Sequence, residues 1–132
     1  MYLTRDINFI CLSSSSKNDE FDPYKMLKDL GFIGNIQIEG NEDDLMSSLS
    51  NTMDFDFIII NQNDNEELNK TVSLIKALDN YKTTPILVTT NITTNEVMYD
   101  CFRAGVSEYV VKPFSKETLA ARILNSWNSL KS

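Results

Sequence analysis

Histidine is missing from this sequence of 132 residues. Its absence excludes a Ser-His-Asp triad, a histidine metal site and a phosphohistidine on this chain. Any phosphoryl transfer that uses a histidine would therefore take it from a partner. Cysteine is scarce as well. Cys11 and Cys101 lie far apart and outside Cys-x-x-Cys spacing, so we expect both to be reduced core residues.

Basic residues and long apolar runs are also few. Twelve lysines and arginines stand against 19 acids, a net charge of −7 without any basic stripe, which argues against nucleic-acid binding. The longest apolar run, FIII at 57–60, is too short to span a membrane, and the first residues lack the apolar region of a signal peptide. With 42% hydrophobic and 23% charged residues, we expect one globular, cytoplasmic domain over 1–132.

Short apolar runs alternate with amphipathic segments along the whole chain, with no repeat or linker between them. The third and fourth runs are almost entirely apolar, which is typical of strands covered on both faces. The predicted strands are Ile7–Leu12, Asn35–Glu39, Asp56–Ile60, Ile86–Thr89 and Glu108–Val111.

The amphipathic segments between these strands have the spacing of helices. Asp22 before Pro23 predicts an N-cap for the first helix, and Gly31 predicts its end. Thr93 and Glu96 have capping-box spacing for the fourth helix. The other helices are marked by apolar residues one turn apart: Leu45 and Leu49; Leu68, Val72, Ile75 and Leu78; and Leu119, Ile123, Trp127 and Leu130.

Five strands alternating with five helices predict an α/β fold with a parallel sheet and helices on both faces. In such folds, ligands and chemistry gather at the carboxyl ends of the strands. The polar residues that the sequence places at those ends are Ser13, Ser14, Asn61, Thr89, Thr90 and Lys112.

Two motifs near the C-terminus are more specific. The run AGVSEYVVKPF at 104–114 and the run PILVTT at 85–90 resemble the receiver domains of response regulators, the family of CheY, and the spacing between them matches that family with no gap needed. The resemblance extends over essentially the whole chain. It implies a CheY-like, flavodoxin-like doubly wound sheet of five parallel strands in the order 2-1-3-4-5, and a cis peptide bond between Lys112 and Pro113.

In that family an aspartate at the end of the third strand accepts a phosphoryl group, beside two acids that hold Mg²⁺. A hydroxyl residue after strand four and a lysine after strand five bind the phosphoryl oxygens. The resemblance places Thr90 at the hydroxyl position and Lys112 at the lysine, with Tyr109 at the aromatic switch position beside Thr90. The phosphoacceptor position, however, falls on Asn61.

The acidic pair of the family falls on Ser13-Ser14, or on Ser14-Ser15 with a shift of one residue. An amide cannot become an acyl phosphate, and serine hydroxyls are poor ligands for Mg²⁺. We therefore expect no enzyme activity, no cofactor and no metal site, with Mg²⁺ binding lost.

The resulting prediction is a pseudo-receiver in two-component or phosphorelay signalling, which acts as a phosphorylation-independent protein–protein interaction module. Its expected partners are signalling proteins, or a second copy in a homodimer, bound through helix four, strand five and helix five. One alternative is a live receiver that uses Asp64, with Asp19 replacing a missing metal ligand; Asp64 also fits an N-cap, with Glu67 three residues on. Another is a small enzyme or nucleotide binder, although no Gly-rich loop follows strand one.

Lys112 itself leaves two interpretations open. The pocket positions Ser13, Ser14, Asn61 and Lys112 carry one ammonium and no carboxylate, a net charge of +1. Lys112 is therefore expected either to hydrogen-bond Asn61 and a nearby serine or backbone carbonyl, or to hold an anion of the size of sulfate or phosphate.

Overall fold

Five parallel strands form the centre of the protein in a computed structural model that describes residues 6–13, 21–51 and 54–131. The strands are β1 (Phe9–Ser13), β2 (Ile36–Glu39), β3 (Phe57–Asn61), β4 (Ile86–Thr90) and β5 (Glu108–Val111). The helices are α1 (Pro23–Asp29), α2 (Glu42–Asn51), α3 (Asn65–Lys76), α4 (Asn95–Ala104) and α5 (Lys116–Lys131), with a 3₁₀ turn at Asp79–Tyr81.

The strand order is β2-β1-β3-β4-β5, so the predicted doubly wound sheet is confirmed. Four of the five strands differ from the predicted ranges by one or two residues, and β5 coincides with its prediction. The register sets Ser13 beside Asn61 and Asn61 beside Thr89, which brings these carboxyl ends together at one edge. The expected cis bond between Lys112 and Pro113 is present.

Alternate residues of each strand point to opposite faces of the sheet, and each face has its own apolar core. On one face, Ile10, Ile60 and Val88 pack with residues of α2, α3 and α4, among them Leu45, Val72 and Cys101. On the other face, Phe9, Ile59 and Leu87 pack with residues of α1 and α5, among them Leu27, Leu119 and Ile123. Helices therefore cover both faces, as predicted.

The helix ends follow the sequence signals with one exception. The Asp22 carboxylate accepts a hydrogen bond from the Lys25 amide at 3.1 Å, as an N-cap should. The capping box expected at Thr93 was wrong. The first backbone bond of α4 runs from the Met98 N–H to the Thr94 carbonyl, so Thr94 is the N-cap, and its side chain makes no capping bond.

Both cysteines are buried and free, in agreement with the sequence. Burial raises the pKa of the Cys11 thiol far above its ordinary value. Burial, and then the negative charge of Asp100, raises the pKa of Cys101 to about 11. Both thiols are therefore protonated at neutral pH.

None of the helices in the described parts of the chain combines the length and apolar character that a membrane span requires.

Candidate functional site

Four polar side chains continue the α1/α5 face of the sheet at its carboxyl edge. Each comes two residues after an apolar residue of that face, and a period of two keeps side chains on one side of a strand. Ser13 follows Cys11, Asn61 follows Ile59, Thr89 follows Leu87, and Lys112 follows Val110.

Asn61 lies at the centre of this group and is only 3% exposed. Its Oδ1 accepts hydrogen bonds from Lys112 Nζ at 2.8 Å and from Thr89 Oγ1 at 2.9 Å. Its Nδ2 donates to Ser13 Oγ at 3.1 Å. Because an ammonium can only donate, Lys112 fixes which end of the amide is the oxygen. We call Ser13, Asn61, Thr89 and Lys112 the Asn61 network.

The sequence identified three of the four members of this network. The Lys112–Asn61 hydrogen bond is the first of the two arrangements expected for the lysine, and Ser13 joins through the amide. Ser14 lies outside the described residues, as do Ser15, Asp19 and Glu20. The hydroxyl beside Asn61 belongs to Thr89, whereas the Thr90 hydroxyl accepts from the Ile92 N–H and only the Thr90 backbone carbonyl contacts the network, through the Lys112 N–H. The sequence placed both threonines at this strand end, and counting in twos from Leu87 would have selected Thr89 as the pocket residue.

Thr90 instead points to the opposite face of the sheet, where Tyr109 also lies. Both residues bind Ile92 in the loop before α4. Thr90 Oγ1 accepts from the Ile92 N–H at 3.3 Å, and the Tyr109 hydroxyl donates to the Ile92 carbonyl at 2.8 Å. The two predicted switch residues thus hydrogen-bond the backbone N–H and the carbonyl of the same loop residue. Their switching role remains a prediction.

The hydrogen bond from the Tyr109 hydroxyl to this loop should make the stability of the protein depend on pH. Burial, and then the nearby Cys101, raises the pKa of Tyr109 above its ordinary value of about 10. Because the pKa is higher in the folded state, the stabilisation that the Tyr109 hydroxyl contributes is fully present below pH ~10. That contribution is lost as the pH rises through the folded pKa.

We therefore expect Tyr109→Phe to lower the free energy of unfolding by about 1 kcal/mol at neutral pH, because it removes the bond to Ile92. Urea denaturation of both proteins at several pH values measures the difference, which should shrink above pH ~10. A difference that does not change with pH would show that the hydroxyl is not its source.

The side chains of the residues directly after Asn61 accept hydrogen bonds from nearby backbone N–H groups. Gln62 Oε1 accepts from the N–H groups of Asn63 and Asp64, both at 3.0 Å. Asn63 Oδ1 accepts from the Asn91 N–H at 2.9 Å and so joins this loop to the one before α4. The exposed Asp64 accepts from the Glu67 N–H at 3.0 Å, which confirms its role as the N-cap of α3.

Comparison with known proteins rests on structure alone, because no protein-family model and no curated protein sequence matches the chain. The chemotaxis response regulator CheY4 of Vibrio cholerae is 22% identical with a TM-score of 0.75, over 91% of this chain and 98% of that chain. The fold is that of a response-regulator receiver domain. An orphan response regulator of H. pylori, HP1043, is 22% identical with a TM-score of 0.72, over 93% and 98% of the two chains.

A third neighbour with the receiver fold allows the question of Mg²⁺ binding to be considered. The receiver domain of the sensor histidine kinase PA1611 from Pseudomonas aeruginosa, with magnesium coordinated in its active-site cleft, is 22% identical with a TM-score of 0.70, over 93% and 98% of the two chains. At the carboxyl edge of its sheet, the present chain has the Ser13 hydroxyl, the Asn61 amide and the Lys112 ammonium, which do not fit Mg²⁺. Within the described residues, no three acidic or cysteine side chains converge as metal ligands.

Proposed function

We propose that this protein is a receiver-type module of two-component or phosphorelay signalling that accepts no phosphoryl group and acts by binding partner proteins. In this proposal it is not an enzyme and needs no cofactor. The cytoplasmic location expected from the sequence remains a prediction.

The observation that carries the proposal is the bonding of Asn61. Its amide is neutral and nearly fully buried, and both lone pairs of Oδ1 are engaged by Lys112 and Thr89. The position where a receiver needs a carboxylate nucleophile is thus filled by a group that cannot attack phosphorus. The lysine that would bind a phosphoryl oxygen is hydrogen-bonded to that same amide.

A surface around α4 and β5 supports the interaction half of the proposal. Tyr99 is 61% exposed and Phe102 is 42% exposed on α4, and Val111 at the end of β5 is 38% exposed. Aromatic side chains are over-represented among residues that dominate protein–protein binding energies. Beside them on α4, Arg103 forms an exposed salt bridge with Asp100.

Treatment with acetyl phosphate and Mg²⁺, followed by intact-mass measurement, tests the phosphoryl half. We expect no gain of one phosphate, because the amide is not a nucleophile and, among the described residues, no three acidic or cysteine side chains converge to hold the metal. A receiver domain known to be phosphorylated serves as the positive control in the same buffer.

The variant Asn61→Asp extends this test. It restores the nucleophile but not the metal ligands, so we expect it to stay unphosphorylated as well. Phosphate on the wild-type chain, lost in Asp64→Asn, would establish the live-receiver alternative. Phosphate only on Asn61→Asp would show that other groups already bind Mg²⁺.

A further inference from the structure

Three hydrogen bonds join the loop between β4 and α4 to side chains from three different strand ends. The Asn91 N–H donates to Asn63 Oδ1 at 2.9 Å, after the end of β3. The Ile92 N–H donates to Thr90 Oγ1 at 3.3 Å, at the end of β4. The Ile92 carbonyl accepts from the Tyr109 hydroxyl of β5 at 2.8 Å. Consecutive backbone groups at the start of this loop are therefore held from three directions.

Asn63 differs from the other two side chains because it belongs to a different loop. It follows Asn61 by two residues, and Asn91 follows Thr89 by two residues. Asn61 and Thr89 are paired in the sheet, so the two loops leave neighbouring strands side by side. The Asn63 side chain therefore joins the loop after β3 directly to the loop before α4.

The backbone around Asn63 is itself held in place. The Gln62 N–H donates to the Thr89 carbonyl at 3.1 Å, and Gln62 Oε1 accepts from the N–H groups of Asn63 and Asp64. Asp64 in turn caps α3. A side chain on a fixed backbone loses only its own rotamer freedom when it forms a bond, which limits the entropy cost. Asn63 can thus transfer the position of its own loop to the loop before α4.

The start of α4 depends on that loop more than the starts of α1 and α3 depend on theirs. Those two helices begin with aspartates whose carboxylates accept from backbone N–H groups. The N-cap of α4, Thr94, makes no such bond with its side chain. Ile92 also packs against the core beneath α4, so holding Ile92 limits where the first turn of this helix can lie.

We propose that Asn63 is a positioning residue that clips the loop after β3 to the loop before α4. Through this Asn63 clip, contacts within the chain hold the start of α4 in one arrangement, and with it the exposed Tyr99 and Phe102. The inference concerns the chain by itself and does not depend on the proposed function.

Amide hydrogen exchange of the full chain, followed by NMR, tests the clip at the Met98 N–H. This group makes the first backbone bond of α4, to the Thr94 carbonyl, and has no bond to Asn63. Asn63→Ala should speed exchange at Met98 by about two- to tenfold, the range expected for the loss of one hydrogen bond. The Leu30 N–H, which donates to the Met26 carbonyl in α1, should keep its rate.

Two further variants separate the clip from a general loss of stability. Asn63→Asp keeps an acceptor oxygen and should leave the Met98 rate near that of the wild type. Asn65→Ala removes the same kind of side chain two residues further on, where Oδ1 accepts from Asn69 Nδ2 within α3 at 3.0 Å. This variant should also leave the Met98 rate unchanged.

Each alternative result counts against the clip. An unchanged Met98 rate in Asn63→Ala would show that the bond to Asn91 does not position α4. An equal increase in Asn63→Asp or in Asn65→Ala would show that the acceptor oxygen of Asn63 is not the cause. An equal increase at Leu30 would show that the whole domain, and not α4, had been loosened. Any of these results would overturn the proposal.

Discussion

Asn61→Leu should lower the free energy of unfolding by about 2–4 kcal/mol, because leucine fills a similar volume but can bind none of the groups around it. The Thr89 hydroxyl is fully buried and would lose its acceptor, and the Lys112 ammonium would lose the oxygen at 2.8 Å. Leaving the buried Thr89 hydroxyl without its acceptor costs about 1–3 kcal/mol, and the loss of one hydrogen bond by the partly buried Lys112 adds about 1 kcal/mol. Urea denaturation of the wild type and the variant measures this change in the free energy of unfolding.

Asn61→Asp is the matched control, since it keeps the oxygen that accepts from Lys112 and Thr89 in nearly the same shape, and the Ser13 hydroxyl can donate to its second oxygen. A carboxylate beside Lys112 should preserve stability at neutral pH. The ammonium favours the ionised form, so this stability is present above the unfolded aspartate pKa of about 4 and is lost as pH falls through the lower folded value. If Asn61→Leu lowers the free energy of unfolding at pH 7 no more than Asn61→Asp does, the Asn61 network contributes little to folding.

Replacing Tyr99 and Phe102 together by alanine should weaken the binding of the partner by at least ~2 kcal/mol, or about thirtyfold. Both rings are exposed on α4, so their removal takes contact area from the partner and little from the core. The partner is first isolated from native lysate with the tagged full chain, and its affinity is then measured by biolayer interferometry. Analytical ultracentrifugation of the same variant tests the homodimer.

Tyr24→Ala provides the control for this surface. Tyr24 is 47% exposed on α1, which packs on the opposite face of the sheet from α4. Its removal should leave both affinity and oligomeric state unchanged. Partner binding that survives the α4 double variant but is lost in Tyr24→Ala would place the interface on α1.

The sequence predicted the fold because its local signals agree with each other. The runs at β3 and β4 are apolar throughout, as strands covered on both faces must be, and Asp22, Gly31 and Asp64 mark helix ends with side chains suited to them. The Lys112–Asn61 contact followed from the same logic, because parallel strands end at one edge.

The details that the sequence did not supply depend on side-chain direction and on single-residue shifts. Thr89 and Thr90 are adjacent hydroxyl residues, and only the strand period decides which of them reaches Asn61. Thr93 and Thr94 are likewise adjacent, and the first backbone bond of α4 selects Thr94. Similar residues in neighbouring positions leave the pattern ambiguous, and tertiary contacts resolve it.

The two buried thiols give this protein built-in reporters of local opening. With both thiols protonated and inaccessible, a thiol reagent at neutral pH reacts only with molecules that have opened around them. Cys11 lies in β1 within the sheet, so its labelling rate follows unfolding of the whole domain. Cys101 belongs to α4 and faces the core, so its rate follows detachment of that helix. A partner that docks on Tyr99 and Phe102 would slow labelling of Cys101 more than that of Cys11.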